Sequence, residues 1–135
     1  MNMIRLTQNI LPLLVLLATI ISHSQDKFDT SSIIIKKISS EKPAFYNISD
    51  TYVKKDQNNP GTLIVRVDLE LPETTVLRLT VTDTTENTVI SLIDEKSMAG
   101  GKYRIRWEME GYTPGRYWCE FTTDQFIYRK DFFIK

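Results

Sequence analysis

The sequence has little of what small domains and enzymes commonly depend on. It contains one cysteine, Cys119, and one histidine, His23. One cysteine cannot close an internal disulfide, so packing alone must hold the fold together. His23 lies at the end of an apolar N-terminal segment, and the rest of the chain has no imidazole for a Ser/His pair, a Cys/His pair or a zinc site. We therefore expect a non-enzymatic protein that needs no metal or other cofactor.

The sequence also lacks an excess of charge of either sign. Its 17 Lys and Arg residues balance 17 Asp and Glu residues, so no large electrostatic field attracts nucleic acid. Its one long apolar segment, residues 10–21, is shorter than the roughly 18 apolar residues or more that span a bilayer. We expect no nucleic-acid partner, and no transmembrane span once that segment is removed.

The apolar segment has the layout of a secretory signal peptide. Arg5 precedes it, and Ser22 and Ser24 place small residues at the −3 and −1 positions before Gln25. We expect cleavage between Ser24 and Gln25, with an uncleaved N-terminal anchor as the alternative. A bacterial lipoprotein would need a cysteine just after the apolar block, and Cys119 is far from it. The protein is therefore expected outside the cytoplasm, secreted or at the cell surface, with the periplasm as the alternative.

Past residue 24 the apolar residues alternate with polar ones, as is typical of β-strands. From residue 65 to residue 71, valine and leucine alternate strictly with Arg66, Asp68 and Glu70. Pro72 ends this run because proline has no amide hydrogen to donate to a neighbouring strand. The pattern predicts an all-β fold, an immunoglobulin-like sandwich of two antiparallel sheets and about seven strands, with no helix longer than about two turns. The residues expected at the centre of its core are Leu79, Tyr103, Ile105, Trp107, Tyr117 and Phe121.

The composition divides the chain into three parts. Residues 1–24 form the signal peptide, residues 25–58 form a short N-terminal segment with a candidate first strand, and residues 59–135 form the sandwich. We place the boundary within residues 54–61, because Asp56, Asn58, Asn59 and Pro60 make this stretch polar and rich in turn-forming residues.

A series of short motifs follows a recognisable order along residues 59–135. They are Asn59-Pro60, Leu71-Pro72, the strand that leads to Asp83, the run Gly100-Gly101-Lys102-Tyr103-Arg104-Ile105-Arg106-Trp107, then Gly115-Arg116-Tyr117, and the ending with Lys130, Ile134 and Lys135. In this order the chain resembles the C-terminal sorting domain of the type IX secretion system, and the related immunoglobulin-like domain of the flagellar hook-capping protein. The resemblance implies a bacterial protein whose sandwich is an export or surface-attachment signal for the outer-membrane secretion machinery.

The hairpin after Asp83 departs from the pattern of that family. The family usually reads Asp-x-x-Gly there, whereas Asp83 is followed at the glycine position by Glu86 and then by Asn87. Asparagine adopts the left-handed conformation at small cost. We therefore expect a displaced turn with Asn87 in that conformation.

The candidate site residues come from two sources. Trp118 alternates out of phase with Tyr117 and Cys119, so its indole is a candidate surface contact if that face of the sheet meets solvent. Tyr117 also precedes Cys119 by two residues, as in the tyrosine corner of immunoglobulin domains. The resemblance implies recognition by the secretion machinery through Gly115, Tyr117, Lys130, Ile134 and Lys135.

Two functions from different classes remain open. In the first, residues 59–135 direct export across the outer membrane, and the terminal residues 130–135 form an edge strand that pairs with a partner by β-augmentation. In the second, the sandwich is a free-standing periplasmic or cell-surface module that binds another surface protein or a glycan. A sorting domain normally follows a sizeable passenger, and only residues 25–58 stand in that place here. An enzyme is the third class, and it is disfavoured by the missing imidazole.

Overall fold

The computed structural model describes residues 32–135, and the predicted signal peptide with its cleavage site at Ser24 and Gln25 lies outside the described residues. The described chain is all-β and folds into two antiparallel sheets, which confirms the predicted sandwich. Its strands are β1 Ile34–Ser39, β2 Asn47–Ile48, β3 Tyr52–Lys55, β4 Thr62–Leu71, β5 Thr75–Thr82, β6 Thr88–Met98, β7 Gly101–Glu110, β8 Gly115–Thr122 and β9 Ile127–Ile134.

Each sheet has a simple strand order. Sheet A runs β1, β7, β4, and the far side of β4 pairs with β2 near one end and with β3 near the other. Sheet B runs β6, β5, β8, β9. The longest ladder joins β4 to β7 over their full length, from Thr62 opposite Glu110 to Leu71 opposite Gly101. In the described part of the chain, β1 and β9 each pair on one side only, so they are edge strands of different sheets.

The two sheets enclose a single apolar core. All six residues expected at its centre are buried, and Trp107 and Phe121 are its largest fully buried side chains. The alternation seen in the sequence is the cause, because period-two spacing places every second side chain of β4, β5, β7 and β8 on the inner face.

The core also draws on residues before position 59. Residues 54–61, where we placed the domain boundary, instead contain the end of β3 and its tight connection to β4. The Asp56 amide donates to the Thr62 carbonyl at 3.0 Å, and the Thr62 amide donates to the Asn59 carbonyl at 2.9 Å. Ile48 of β2 is 0% exposed within the core. Within residues 32–135 the first strand of the sandwich begins at Ile34, so residues 34–58 of the predicted N-terminal segment are part of it.

The strand count exceeds the predicted seven because two strands are very short. Strand β2 has 2 residues and β3 has 4, too few to display a clear alternation. Both pair with β4, so they are held by a long neighbouring strand rather than by a pattern of their own. Their positions follow from tertiary contact.

A tyrosine corner is present at the start of β8. The Tyr117 hydroxyl donates to the Thr113 carbonyl at 2.6 Å, four residues upstream, as in immunoglobulin domains. The same arrangement occurs in the other sheet, where the Tyr103 hydroxyl donates to the Ala99 carbonyl at 2.7 Å. Each bond ties a buried ring to the loop before its strand, so both tyrosines brace the connections between strands.

The hairpin between β5 and β6 keeps a compact turn centred on Asp83. The Asp83 carboxylate accepts from the amides of Thr85 at 2.9 Å and Asn87 at 3.1 Å. These hydrogen bonds lower the pKa of Asp83, the Thr85 side chain contributing most. The expected left-handed Asn87 is wrong, because Glu86 has that conformation with φ of 63°. The turn is not displaced, and a glutamate occupies a position that favours glycine.

Replacing Glu86 by Gly should therefore stabilise the protein by about 0.5 to 1 kcal/mol. Relief of the left-handed strain contributes roughly 1 to 2 kcal/mol of stability. The conformational freedom that glycine adds to the unfolded chain offsets part of this contribution. The ion pair of Glu86 with Arg129, at 3.5 Å and with the Glu86 side chain 75% exposed, contributes little. Urea unfolding measures the change. Asn87→Gly is the matched control and should not stabilise; a gain there without one at Glu86 would contradict the assignment.

Candidate functional site

The most distinctive surface of the molecule is the outer face of sheet B, formed by β8 and β9. In β8, Tyr117, Cys119 and Phe121 point into the core and are buried. The intervening residues Arg116 and Trp118 therefore point outward, because neighbours in a strand face opposite sides. The predicted direction of Trp118 is thus confirmed by the burial pattern: it lies half-buried on the outer face and is not in the core.

Trp118 is enclosed by two arginines. The guanidinium carbon of Arg129 lies 4.7 Å from the centroid of the indole, and that of Arg116 lies 5.2 Å away. Arg116 also lies 5.8 Å from the ring centroid of Phe133. These distances are those of cation–π contacts. Phe133, Arg116, Trp118 and Arg129 form a continuous stack, which we call the arginine–aromatic ladder.

The charges of the ladder are paired locally. Arg116 donates to Asp131 at 2.7 Å, and Arg129 lies 3.3 Å from Glu120. The pairing register explains both contacts, since β8 and β9 set Trp118 opposite Asp131 and Glu120 opposite Arg129. Because each arginine has a carboxylate partner, the face is close to neutral. It is therefore suited to a mixed polar and apolar contact, and a strongly anionic ligand would have to displace these carboxylates.

The edge of sheet B adds exposed apolar side chains to this face. On this face of β9, Ile127 is 62% exposed and Phe133 is 61% exposed, whereas Tyr128, 46% exposed, lies on the opposite face. On the other side of the strand, the Lys130 ammonium lies 3.2 Å from the Asp50 carboxylate in the connection between β2 and β3. A shallow groove of about 390 Å³ lies here, lined by Asp50, Arg116, Trp118, Arg129, Lys130 and Asp131.

The structure separates the residues that the resemblance named into two groups. Tyr117 and Ile134 are buried in the core, so their side chains support the sheet and do not reach the surface. Gly115 and Lys135 are exposed, and Lys130 is partly exposed. Gly115 has φ of 148°, which favours glycine, at the start of β8 opposite Ile134. Of these five residues, only Gly115, Lys130 and Lys135 are therefore accessible to a partner of the folded protein.

Sequence reasoning missed the other members of the ladder. Arg116 was noted only as the middle residue of Gly115-Arg116-Tyr117, Phe133 only as part of the terminal residues 130–135, and Arg129 was not singled out. The sequence carried one usable signal. Arg116 and Trp118 stand an even number of positions apart in β8, as do Arg129 and Phe133 in β9, so each pair points to the same face of its strand. Their meeting depends on the β8–β9 register, which the sequence alone does not specify.

The Cys119 thiol and the Arg104–Asp68 ion pair serve the fold. Burial raises the pKa of the Cys119 thiol to about 11, so the thiolate that would react is scarce at neutral pH. In sheet A, Arg104 donates to both carboxylate oxygens of Asp68, at 2.9 and 3.0 Å. This hydrogen bonding holds the pKa of Asp68 below its usual value.

A second groove, of about 490 Å³, lies at the other end of sheet B beside Tyr46. Its polar groups are engaged with one another: the Tyr46 hydroxyl shares a hydrogen bond of 2.9 Å with the Thr75 hydroxyl, and Arg78 donates to Glu95 at 2.8 Å. Within residues 32–135, no cluster of histidine, cysteine or carboxylate side chains is arranged to hold a metal ion. The same residues contain no helix long and apolar enough to cross a membrane.

The fold and this surface define an antiparallel β-sandwich with one aromatic and arginine-rich outer face that ends at an open sheet edge. No protein-family model matches the chain, and neither a curated protein nor a solved structure matches it.

Proposed function

We propose that the protein is an exported, non-enzymatic β-sandwich that acts by recognition, and that strand β9 is read by the outer-membrane machinery of type IX secretion. The observation that carries the proposal is the position of β9. It is an edge strand that pairs within the described residues only with β8, and it exposes Ile127, Tyr128 and Phe133.

The edge gives the proposal a physical mechanism. A strand added to β9 would form main-chain hydrogen bonds on its open side, and these supply affinity with little dependence on sequence. Specificity would come from the side chains that flank the open side. Phe133 and the rest of the arginine–aromatic ladder lie on one face, and Lys130 with Asp50 lies on the other.

The resemblance to sorting domains gains support from where its residues lie. Leu71-Pro72 marks the end of β4, and Gly101 begins β7. A Cβ atom on Gly101 would lie 2.6 Å from the Ser39 carbonyl oxygen, so only glycine fits without a backbone shift. Glu86 stands where the family has glycine, and its φ of 63° is one that glycine adopts freely.

A reporter fusion tests the proposal. The fusion should carry residues 1–24, then the reporter, then residues 25–135, because a signal peptide must deliver it to the periplasm and β1, β2 and β3 are part of the sandwich. We expect reporter at the surface or in the medium of a type IX-competent host, and in the periplasm of a translocon-deficient strain. Intact-mass measurement of the full-length chain, residues 1–135, produced in the same host reports separately whether the mature protein begins at Gln25. Reporter that stays in the periplasm of competent cells would contradict the proposal.

Point variants test the role of β9 better than a deletion of residues 130–135 would. The deletion would remove Phe132 and Ile134, which are buried, and so would confuse unfolding with loss of a signal. The pair Ile127→Lys and Phe133→Lys changes only exposed side chains and should abolish export. The matched control is Ile34→Lys with Ile38→Lys on the exposed edge strand β1, which should leave export unchanged.

A free-standing binding module is the second candidate function, and one observation favours it. The residues that we counted as a separate N-terminal segment supply three strands of sheet A. The sandwich therefore has no separable passenger within residues 34–58. In this case the arginine–aromatic ladder would contact a surface protein or a glycan, and the reporter fusion would remain periplasmic while folded.

A further inference from the structure

The outer face of β9 carries a self-complementary pattern, because reading it in the opposite direction replaces each charge by its opposite. Its outward side chains are Ile127, Arg129, Asp131 and Phe133, which lie opposite Thr122, Glu120, Trp118 and Arg116 of β8. In order along the strand they are apolar, cationic, anionic and apolar. A strand with this order is complementary to an antiparallel copy of itself.

We propose that a second copy of this chain pairs with β9 on a two-fold axis through Lys130. Each Arg129 then lies opposite Asp131 of the second copy, and each Ile127 lies opposite Phe133 of the second copy. The two four-stranded B sheets join into one continuous eight-stranded sheet. Contacts of this kind are isologous, because the same surface is used by both copies.

The charges of β8 and β9 select this register. On each copy Glu120 already neighbours Arg129, and Arg116 neighbours Asp131. Pairing through Lys130 continues the row with alternating sign, from Glu120 to Arg129 and then to Asp131 of the second copy. Opposite charges that face each other across strands are stabilising, and like charges are destabilising.

Other registers are disfavoured. Sliding one copy by two residues sets Arg129 opposite itself in one direction and Asp131 opposite itself in the other. A slide of one residue would align side chains from opposite faces, which the pleat of a sheet forbids. In the chosen register Lys130 faces its own copy, and the Asp50 carboxylate at 3.2 Å offsets that repulsion in each chain.

The edge strand β1 of sheet A does not have this property. Strand β1 reads Ile-Ile-Lys-Lys-Ile-Ser and contains no carboxylate, so no antiparallel register pairs opposite charges. Its lysines would repel a second copy, as charged edge strands commonly do. Self-association is therefore assigned to β9, and β1 serves as the internal control.

The inference does not depend on the secretion proposal. Pairing with a second copy would occupy the same edge that a translocon is proposed to recognise. Only the dissociated monomer would therefore be available to the translocon. The two ideas also fail separately, because dimerisation is measured on purified protein and export is measured in cells.

Charge exchange provides the test, with purified residues 25–135. Light scattering behind size exclusion, at about 10 to 100 µM, should give twice the mass of one chain. Arg129→Asp alone and Asp131→Arg alone should each raise the dissociation constant of the dimer at least about tenfold. In each variant dimer, two pairs of like charges face each other across the interface. An equimolar mixture of the two variants should recover a one-to-one heterodimer, since every charge then faces its opposite.

Disulfide trapping covers the case in which a charge variant does not fold. Lys130→Cys places one thiol beside its own copy, and opposed residues of antiparallel strands have Cα atoms about 4.5 to 5.5 Å apart, within the range of a disulfide. Oxidation should give a covalent dimer, and Lys36→Cys on β1 should not. A monomer at every concentration, or a mixture that stays monomeric while Lys130→Cys fails to cross-link, would overturn the proposal.

Discussion

A chain that begins at Asn59 is expected not to fold. It would lack β1, β2 and β3, which reduces sheet A from five strands to the two-stranded pair of β4 and β7. The loss includes the fully buried Ile48 side chain and the side chains of Tyr46 and Val53 that pack against the core. A buried aliphatic side chain alone contributes about 1.5 to 3 kcal/mol, and domains are stable by only about 5 to 15 kcal/mol.

Circular dichroism during thermal unfolding distinguishes the outcomes. Residues 32–135 should show one cooperative transition, and residues 59–135 should show none. Ile48→Ala in the longer chain is a milder control and should lower the free energy of unfolding by about 2 to 5 kcal/mol. Cooperative unfolding of residues 59–135, within about 2 kcal/mol of the longer chain by urea titration, would restore the boundary that the composition suggested.

Replacement of Trp107 by Ala should destabilise the protein by about 3 to 5 kcal/mol. The indole is 0% exposed, and its strand β7 is paired on both sides, with β4 and with β1. A rigid position of this kind cannot collapse around the missing side chain, so the cavity remains. Urea unfolding of residues 25–135 measures the change.

Trp107→Phe is the informative control. The Trp107 Nε1 atom is buried and has no hydrogen-bond partner among the described residues. Phenylalanine therefore loses part of the apolar contact but no hydrogen bond, and the unpaired donor disappears with the indole. We expect its effect to stay below about 2 kcal/mol, less than that of alanine. A loss below about 1 kcal/mol for Trp107→Ala would mean that the indole is not a core residue.

The open edge of sheet B links the two proposals. A strand edge with exposed apolar side chains tends to pair with another strand, and proteins usually protect such edges. Here Arg129, Lys130 and Asp131 place charge in the middle of β9, between Ile127 and Phe133. That arrangement discourages arbitrary partners, and it selects a strand whose charges alternate in the complementary order.

The sequence by itself determined the all-β class and most of the core. Period-two alternation is a local property, so β4, β5, β7 and β8 and the burial of Trp107 and Phe121 follow from spacing alone. The tyrosine corner was also foreseeable, because Tyr117 and Cys119 stand two residues apart in a strand that follows a turn.

Tertiary structure decided where the sandwich begins, which strands form its edges and which surface residues meet. Strand β1 pairs with β7, far along the chain, and no local pattern specifies that contact. The stack of Arg129 on Trp118 depends on the β8–β9 register, because a slide that set Arg129 opposite Thr122 would separate them. Glu86 is in the left-handed conformation although asparagine follows it, since the hydrogen bonds to Asp83 fix the geometry of the turn. Spacing along the chain sets which face a side chain takes, and only the paired strands set its neighbours.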